Sequence, residues 1–224
     1  MLAPPAASPV PDPDFATLAA ACRQLDVELT PTQYDTLVRY AQLLREWNKH
    51  INLISRRDTG RILSYHVVDS LAVQRLIPQD ARVCDIGSGA GLPGIPLAIV
   101  RPDLRIQLVE ASQKRGGFLR TVVAELALAS VEVMSERAES LGPLECDVVV
   151  SRLSGPLPDL VVQAGRHRKP AGTIIAYKTR DCSAELSRAA RQLARSRLRA
   201  AGSHDVLLPL CSVPRRFIVL GSSR

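Results

Sequence analysis

Apolar residues recur three and four positions apart before Arg82, and after it they gather in short β-branched runs separated by helical stretches. DFATLAAACRQLDVEL (14–29) predicts a short amphipathic helix, and TPTQYDTLVRYAQLLREWNKHINL (30–53) a longer one. The second has clear start signals: Thr30 as N-cap, Pro31 at the first helical position and Gln33 completing a capping box. Tyr34, Leu37, Val38, Ala41, Leu44 and Asn48 share one face of it, which is apolar until it ends beside Trp47. Trp47 is expected to anchor the core, and Asn48 and Asn52, one turn apart, to brace the helix end. A third helical stretch is expected over about Thr59–Leu76 and carries YHVVDSLAVQRL.

Past Arg82 the candidate strands are RVCDI (82–86), RIQLVE (105–110), VEVM (131–134), CDVVVS (146–151) and GTIIAYK (172–178). Helices are expected to begin near Pro93, Gln113, Pro156 and Asp181. This alternation predicts an α/β architecture: a parallel sheet covered on both faces, with ligands at the C-terminal ends of the strands. SHDVLLPL (203–210) and RRFIVLGS (215–222) follow the last helix with no helix between them, which predicts a closing antiparallel hairpin and a sheet of seven strands. The expected organisation is a disordered Pro/Ala-rich tail over 1–13, a helical region over 14–78 and a core over 79–224.

Composition narrows the class of protein. Five prolines in the first thirteen residues, with no basic start and no apolar run, do not fit a secretory signal. No apolar stretch approaches the roughly 20 residues of a membrane span. The five cysteines, Cys22, Cys84, Cys146, Cys182 and Cys211, are widely spaced without CxxC or zinc-type clustering. A reduced, cytoplasmic protein without structural metal or membrane partner is the expectation. A formal net charge of +7 makes a polyanion a plausible partner. The clusters at Arg166–Lys169 and at Arg188, Arg191 and Arg195 read as solvated faces, whereas Arg56, Arg57 and Arg61 are the stronger RNA-contact candidates. Only 4% of residues are aromatic, so phosphate contacts should outweigh base stacking.

The densest chemical signal is VCDIGSGAGLPGIPLAI (83–99). A strand ending at Asp85–Ile86 is followed by Gly87, Gly89 and Gly91 at alternate positions, where missing Cβ atoms let backbone amides approach a ligand. Residues 89–94 also spell GxGxxG, and Glu110, nineteen residues past Gly91, suits a ribose in a dinucleotide or in S-adenosylmethionine. Counted from the strand end, however, the loop is GxGxG preceded by Asp85. That acid would attract the ammonium of a methionine moiety and oppose a pyrophosphate, which favours S-adenosylmethionine.

Together with LLREWNKHINLISRRD (43–58), HVVDS (66–70), KRGGFLR (114–120), RAES (137–140), VSR (150–152) and AYK (176–178), the glycine loop resembles the bacterial 16S rRNA guanine-N7 methyltransferase family, the glucose-inhibited division protein B group. The resemblance implies a class I S-adenosylmethionine-dependent methyltransferase (Rossmann-like) fold. It implies methylation of N7 of guanine 527 of 16S rRNA, in the 30S subunit or its precursor, by a monomer. Carried over position by position, Gly87, Gly89, Gly91, Leu92, Glu110, Ala138, Glu139 and Arg152 would form the cofactor site, which Asp85 joins on the charge argument above. His66 and Lys178 would reach RNA. The chain departs from the family pattern at Ile54, Tyr65, Leu153 and Thr179, mostly on the substrate side rather than in the cofactor loop.

Guanine N7 carries a free lone pair, so attack on a sulfonium methyl needs no general base, and the lack of a nucleophile–base constellation is expected. In-line positioning would supply the acceleration. Arg152 and Lys178, at the ends of the fourth and fifth strands, are the expected catalytic-site cations, Arg152 through its planar fork and Lys178 through a phosphate or guanine O6. His66 and Asp69, one turn apart, should share a helix face. A methyltransferase for another RNA base or a small molecule, and a ribosome-binding protein of this fold without turnover, remain open alternatives.

Overall fold

The computed structural model describes residues 12–152, 155–178 and 182–222. Most of the segment expected as a tail lies outside them, as do Leu153, Thr179 and Asp181.

Two helices lead the fold, α1 (Phe15–Arg23) and α2 (Pro31–Asn48). The Thr30–Gln33 capping box forms with both reciprocal bonds, and Asn48 Oδ1 ends α2 by accepting from the amides of Leu53 and Ile54 at 2.9 and 3.0 Å. Trp47 lies half-buried against Phe118, ring centroids 5.7 Å apart. The third helical stretch is not one regular helix. It divides into a 3-10 turn at Arg56–Asp58, a π-helical turn at Ile62–Val67, a single α turn, α3 (Val68–Leu71), and a 3-10 turn at Gln74–Leu76. Nearly every residue from Ile62 to Leu71 is buried, polar ones included, so its form follows tertiary contacts rather than one apolar stripe.

The sheet comprises β1 (Arg82–Ile86), β2 (Arg105–Val109), β3 (Val131–Met134), β4 (Cys146–Ser151), β5 (Arg168–Lys178), β6 (Leu198–Leu207) and β7 (Pro214–Ser222). Their order is β3-β2-β1-β4-β5-β7-β6, with only β7 antiparallel to its neighbours. Helices α4 (Gly94–Val100), α5 (Gln113–Glu125), α6 (Leu157–Gly165) and α7 (Ser183–Arg195) make the connections. β5 and β6 begin earlier than the apolar pattern predicts. The Arg168 guanidinium pins the irregular start of β5 by donating to the carbonyls of Lys169, Pro170 and Gly172, and β6 is an exposed edge strand held in register by β7 rather than by alternation.

Apolar clusters lie on both faces of the sheet. The larger joins Leu37, Tyr40 and Leu44 of α2 to Ile95, Leu97, Ile106 and Phe118, so the leading helices share a core with the glycine-loop side of the sheet. The smaller packs α6 and α7 on β4, β5 and β7. Each fully buried side chain of this size contributes about 1.5–3 kcal/mol. The strand order reverses between β1 and β4, opening a crevice at the C-terminal ends of these two strands, beside Gly87 and Arg152.

Candidate active site

β1 delivers Asp85 into the core and Gly87 to the rim of that crevice. Gly87, Gly89 and Gly91 all adopt positive φ, at 71°, 56° and 83°, which L side chains rarely sustain. A Cβ on Gly91 would also meet Ile95 Cγ1 at 2.5 Å, so this position serves loop packing as well as conformation. Glu110, at the end of β2, fixes the loop: its carboxylate accepts from the amides of Gly89 at 2.9 Å and Ser112 at 2.8 Å. Leu92 is buried in the apolar core, leaving its main chain as the part that can face a ligand.

A cavity of about 120 Å³ lies beside Gly87, lined by Ile86, Val109, Ala111, Ala138, Glu139 and Gln163 among others. The structure therefore brings together Gly87, Ala138 and Glu139, which lie far apart in sequence. Ala138 and Glu139 are held through their carbonyls, by His167 Nε2 at 2.9 Å and Arg166 Nη1 at 2.7 Å. The basic run 166–169 is largely spent on such bonds, with Lys169 paired to Asp147 at 2.6 Å. Ala111 and Gln163 were not singled out by sequence. Ala111 directly follows Glu110, but Gln163 carries no signal beyond its place on α6.

Asp85 has no exposed surface. Its Oδ2 accepts from the Gly94 amide at 3.0 Å, while Oδ1 has no hydrogen-bond partner. Burial pushes its carboxyl up to about 7, against the opposing pull of the Gly94 bond and the Arg152 charge. A buried carboxylate with one open oxygen, next to a glycine loop, suits a cationic ligand group.

Arg152 follows β4 and turns toward the π-helical segment. Its Nη2 lies 2.8 Å from His66 Nδ1, and its Nη1 lies 3.3 Å from Asp69 Oδ2. His66 and Asp69 thus do share a face, and that face is directed to Arg152. Asp69, fully buried, receives a second guanidinium: Arg215 of β7 holds it through Nε at 2.7 Å and Nη2 at 3.0 Å, and also donates to the Tyr65 hydroxyl at 3.1 Å. Burial, then the charges of Arg152, Arg61 and Arg215, push the His66 imidazole down to about 3, so it is neutral and accepts at Nδ1. His66 is 4% exposed, and reaching RNA would require its surroundings to open. Sequence spacing indicated neither the Arg152–Asp69 contact nor the part played by Arg215.

Lys178 is also buried, with Nζ 2.7 Å from Glu185 and 2.9 Å from the Gly155 carbonyl. Arg56 and Arg57 are exposed, whereas Arg61 bonds Asp58 at 2.7 Å and lies 4.3 Å above the Tyr65 ring. Arg188, Arg191 and Arg195 lie exposed on α7. Among the described residues, no group of three or more His, Cys, Asp or Glu is placed to hold a metal ion, and no helix is long and apolar enough to cross a membrane.

A family model described as rRNA small subunit methyltransferase G (GidB) matches residues 33–206. A protein named ribosomal RNA small subunit methyltransferase G from Bordetella avium is 40% identical over 167 residues, 72% of this chain and 75% of that protein. One of the same name from Paracoccus denitrificans is 41% identical over 156 residues, 69% and 81% of the two. Among solved structures, M. jannaschii TYW2 in complex with AdoMet aligns with TM-score 0.58 at 11% identity, covering 70% of this chain and 76% of that one. A SAM-dependent methyltransferase from Aquifex aeolicus aligns with TM-score 0.54 at 16% identity over 73% and 94%. Such identities speak for the fold alone, that of the class I methyltransferases.

Proposed function

On the premise that this chain belongs to the rRNA small subunit methyltransferase G family, we propose that it transfers the methyl group of S-adenosylmethionine to N7 of guanine 527 in 16S rRNA. It does so as a cytoplasmic monomer acting on the 30S subunit or its precursor. The observation that carries the cofactor assignment is the pairing of two features at the strand-switch crevice. One is the cavity between Gly87 and Ala138–Glu139, and the other is the unpartnered oxygen of buried Asp85.

These residues fit the cofactor by chemistry. The cavity offers a slot for an adenine, apolar at Ile86, Val109, Ala111 and Ala138 and polar at Glu136, Arg137, Glu139 and Gln163. Glu110 has acceptor capacity beyond its two amide bonds and would take ribose hydroxyls. Asp85, which has no exposed surface, would hold the ammonium directly or through a water once its surroundings open to admit the ligand. When bound, S-adenosylmethionine supplies an electrophilic methyl on a cationic sulfur.

The rest of the task falls to the chain. Guanine N7 needs no deprotonation, so the site must hold the base in line and exclude competing water. Arg152 carries that role in our reading. Asp69 and neutral His66 fix its guanidinium, and its remaining N–H groups are left to position guanine or an adjoining phosphate. Lys178 would act only after leaving Glu185. The net charge of +7 favours rRNA over a small neutral substrate.

The test is incubation with methyl-labelled S-adenosylmethionine and 30S subunits lacking the modification, followed by mapping of the label. Label at N7 of guanine 527 is expected. Label at another nucleotide would move the substrate assignment, and label in no RNA would refute the activity.

A further inference from the structure

Away from the strand-switch crevice, the chain forms a second and larger concavity at the end of α2. A cleft of about 770 Å³ is lined by Arg45, Lys49, His50 and Arg56 with Asn48 and Asn52 between them. His50 also borders an apolar hollow of about 400 Å³ formed with Glu46, Trp47 and Ile51. A group of cations thus adjoins the chain's only tryptophan across one histidine.

The cleft is built on a fixed frame. Arg45 Nε donates to the Thr59 carbonyl at 3.0 Å while its Nη2 pairs with the Asp12 carboxylate, and Asn48 Oδ1 accepts from the amides of Leu53 and Ile54. Arg61 Nε fixes the turn by donating to Asp58 Oδ1 at 2.7 Å. The outer cations are less committed. Arg56 is exposed and forms no ion pair among the described residues. Among the described residues Lys49 pairs only with Glu46, at 2.8 Å, in a contact where both side chains are more than 60% exposed and readily exchanged.

We infer that this cleft is a second RNA-contact site, which holds a single-stranded turn of the substrate. Its phosphates lie beside Lys49 and Arg56, and an unstacked base rests in the hollow against Trp47 and His50. The proposal rests on the reading of the chain as an rRNA-modifying enzyme. It narrows the substrate to one presenting an unpaired segment beside the target base. Charge complementarity favours RNA, and the adjoining aromatic wall favours an unpaired strand over a duplex, whose bases offer no free face.

Trp47 supplies the probe. Its fluorescence in the full chain is titrated with a ten-nucleotide single-stranded RNA of mixed sequence, with the same RNA as a duplex, and with polyglutamate. The single strand is expected to quench the emission, with affinity falling roughly tenfold or more between 50 and 200 mM salt. The duplex and the polypeptide are expected not to quench it. The doubly charge-reversed variant, Lys49→Glu with Arg56→Glu, should weaken the single strand at least tenfold and raise KM for rRNA methylation. Its circular dichroism and S-adenosylmethionine affinity should match the parent. Absence of quenching, an unmoved affinity in the variant, or equal quenching by polyglutamate, which would mark an acidic protein as the occupant, each overturns the proposal. A chain that methylates no rRNA yet passes the titration loses the proposed function and keeps the cleft. Methylation with a KM indifferent to charge reversal removes the cleft and keeps the function.

Discussion

Asp69 and Asp85 both lie without exposed surface and within the influence of Arg152, yet their surroundings treat them differently. Asp69 receives two guanidinium groups, from Arg152 and Arg215, which join α3, the end of β4 and the last strand. Asp85 receives one backbone amide and keeps an open oxygen. The first carboxylate is consumed by the fold, whereas the second retains capacity for a cation. A buried acid whose surroundings leave it incompletely satisfied is the better marker of a ligand site.

Truncating the two acids should separate their roles. Asp69→Ala leaves two guanidinium groups partly buried without their partner, and a loss of about 3–5 kcal/mol in denaturant unfolding is expected. Asp85→Asn should act in the other direction on the unliganded protein. The folded value of Asp85 is raised to about 7, above its ordinary 3.8, so the native state holds the extra proton between those limits and loses stability as pH rises through them. Removing the charge should therefore stabilise the free protein at pH 8 by on the order of 2–4 kcal/mol and leave it nearly unchanged at pH 4. His66 has the opposite sign: its depressed value gives stability that is complete above about 6.5 and lost as pH falls toward 3. The Asp85→Asn protein should consequently show this acid-side loss without the compensating gain seen in the parent.

Smaller effects concern ligands. Gly87→Asp places a carboxylate beside the cavity at φ 71°, and calorimetry should show cofactor affinity reduced by at least about 100-fold, with the fold retained. Arg152→Ala should lower the methyl-transfer rate about tenfold or more with little change in cofactor affinity. It should cost less stability than Asp69→Ala, because Arg215 still neutralises Asp69. Equal destabilisation by the two would mean that Arg152, not Arg215, is the main partner of Asp69.

The same contrast explains what the sequence made legible. The Asp85 region is local: strand, glycine loop and helix follow one another within 83–99, and period and turn chemistry reveal them directly. The α2 capping box and the bounds of β1, β3 and β4 were legible for the same reason. The Asp69 cluster joins His66 and Asp69, one turn apart, to Arg152 and Arg215, and no spacing rule reaches those two arginines. A buried segment packed on all sides also has no amphipathic stripe, so the sequence pattern over 59–76 reads as one helix where the chain forms irregular turns. Lys178 looked like a free strand-end cation because Glu185, its partner, lies one element further on.

The most direct test of the Asp85 assignment is calorimetric titration of S-adenosylmethionine at pH 6.5 in buffers of different ionisation enthalpy. At this pH an α-amino group, ordinarily near 7.7–8.0, stays protonated, while Asp85 in the free protein is mostly neutral. If Asp85 receives the ammonium, binding must ionise it and release about half a proton or more, and Asp85→Asn must abolish that release. Buffer-independent heats in the parent, or the same proton release in the variant, would contradict the account.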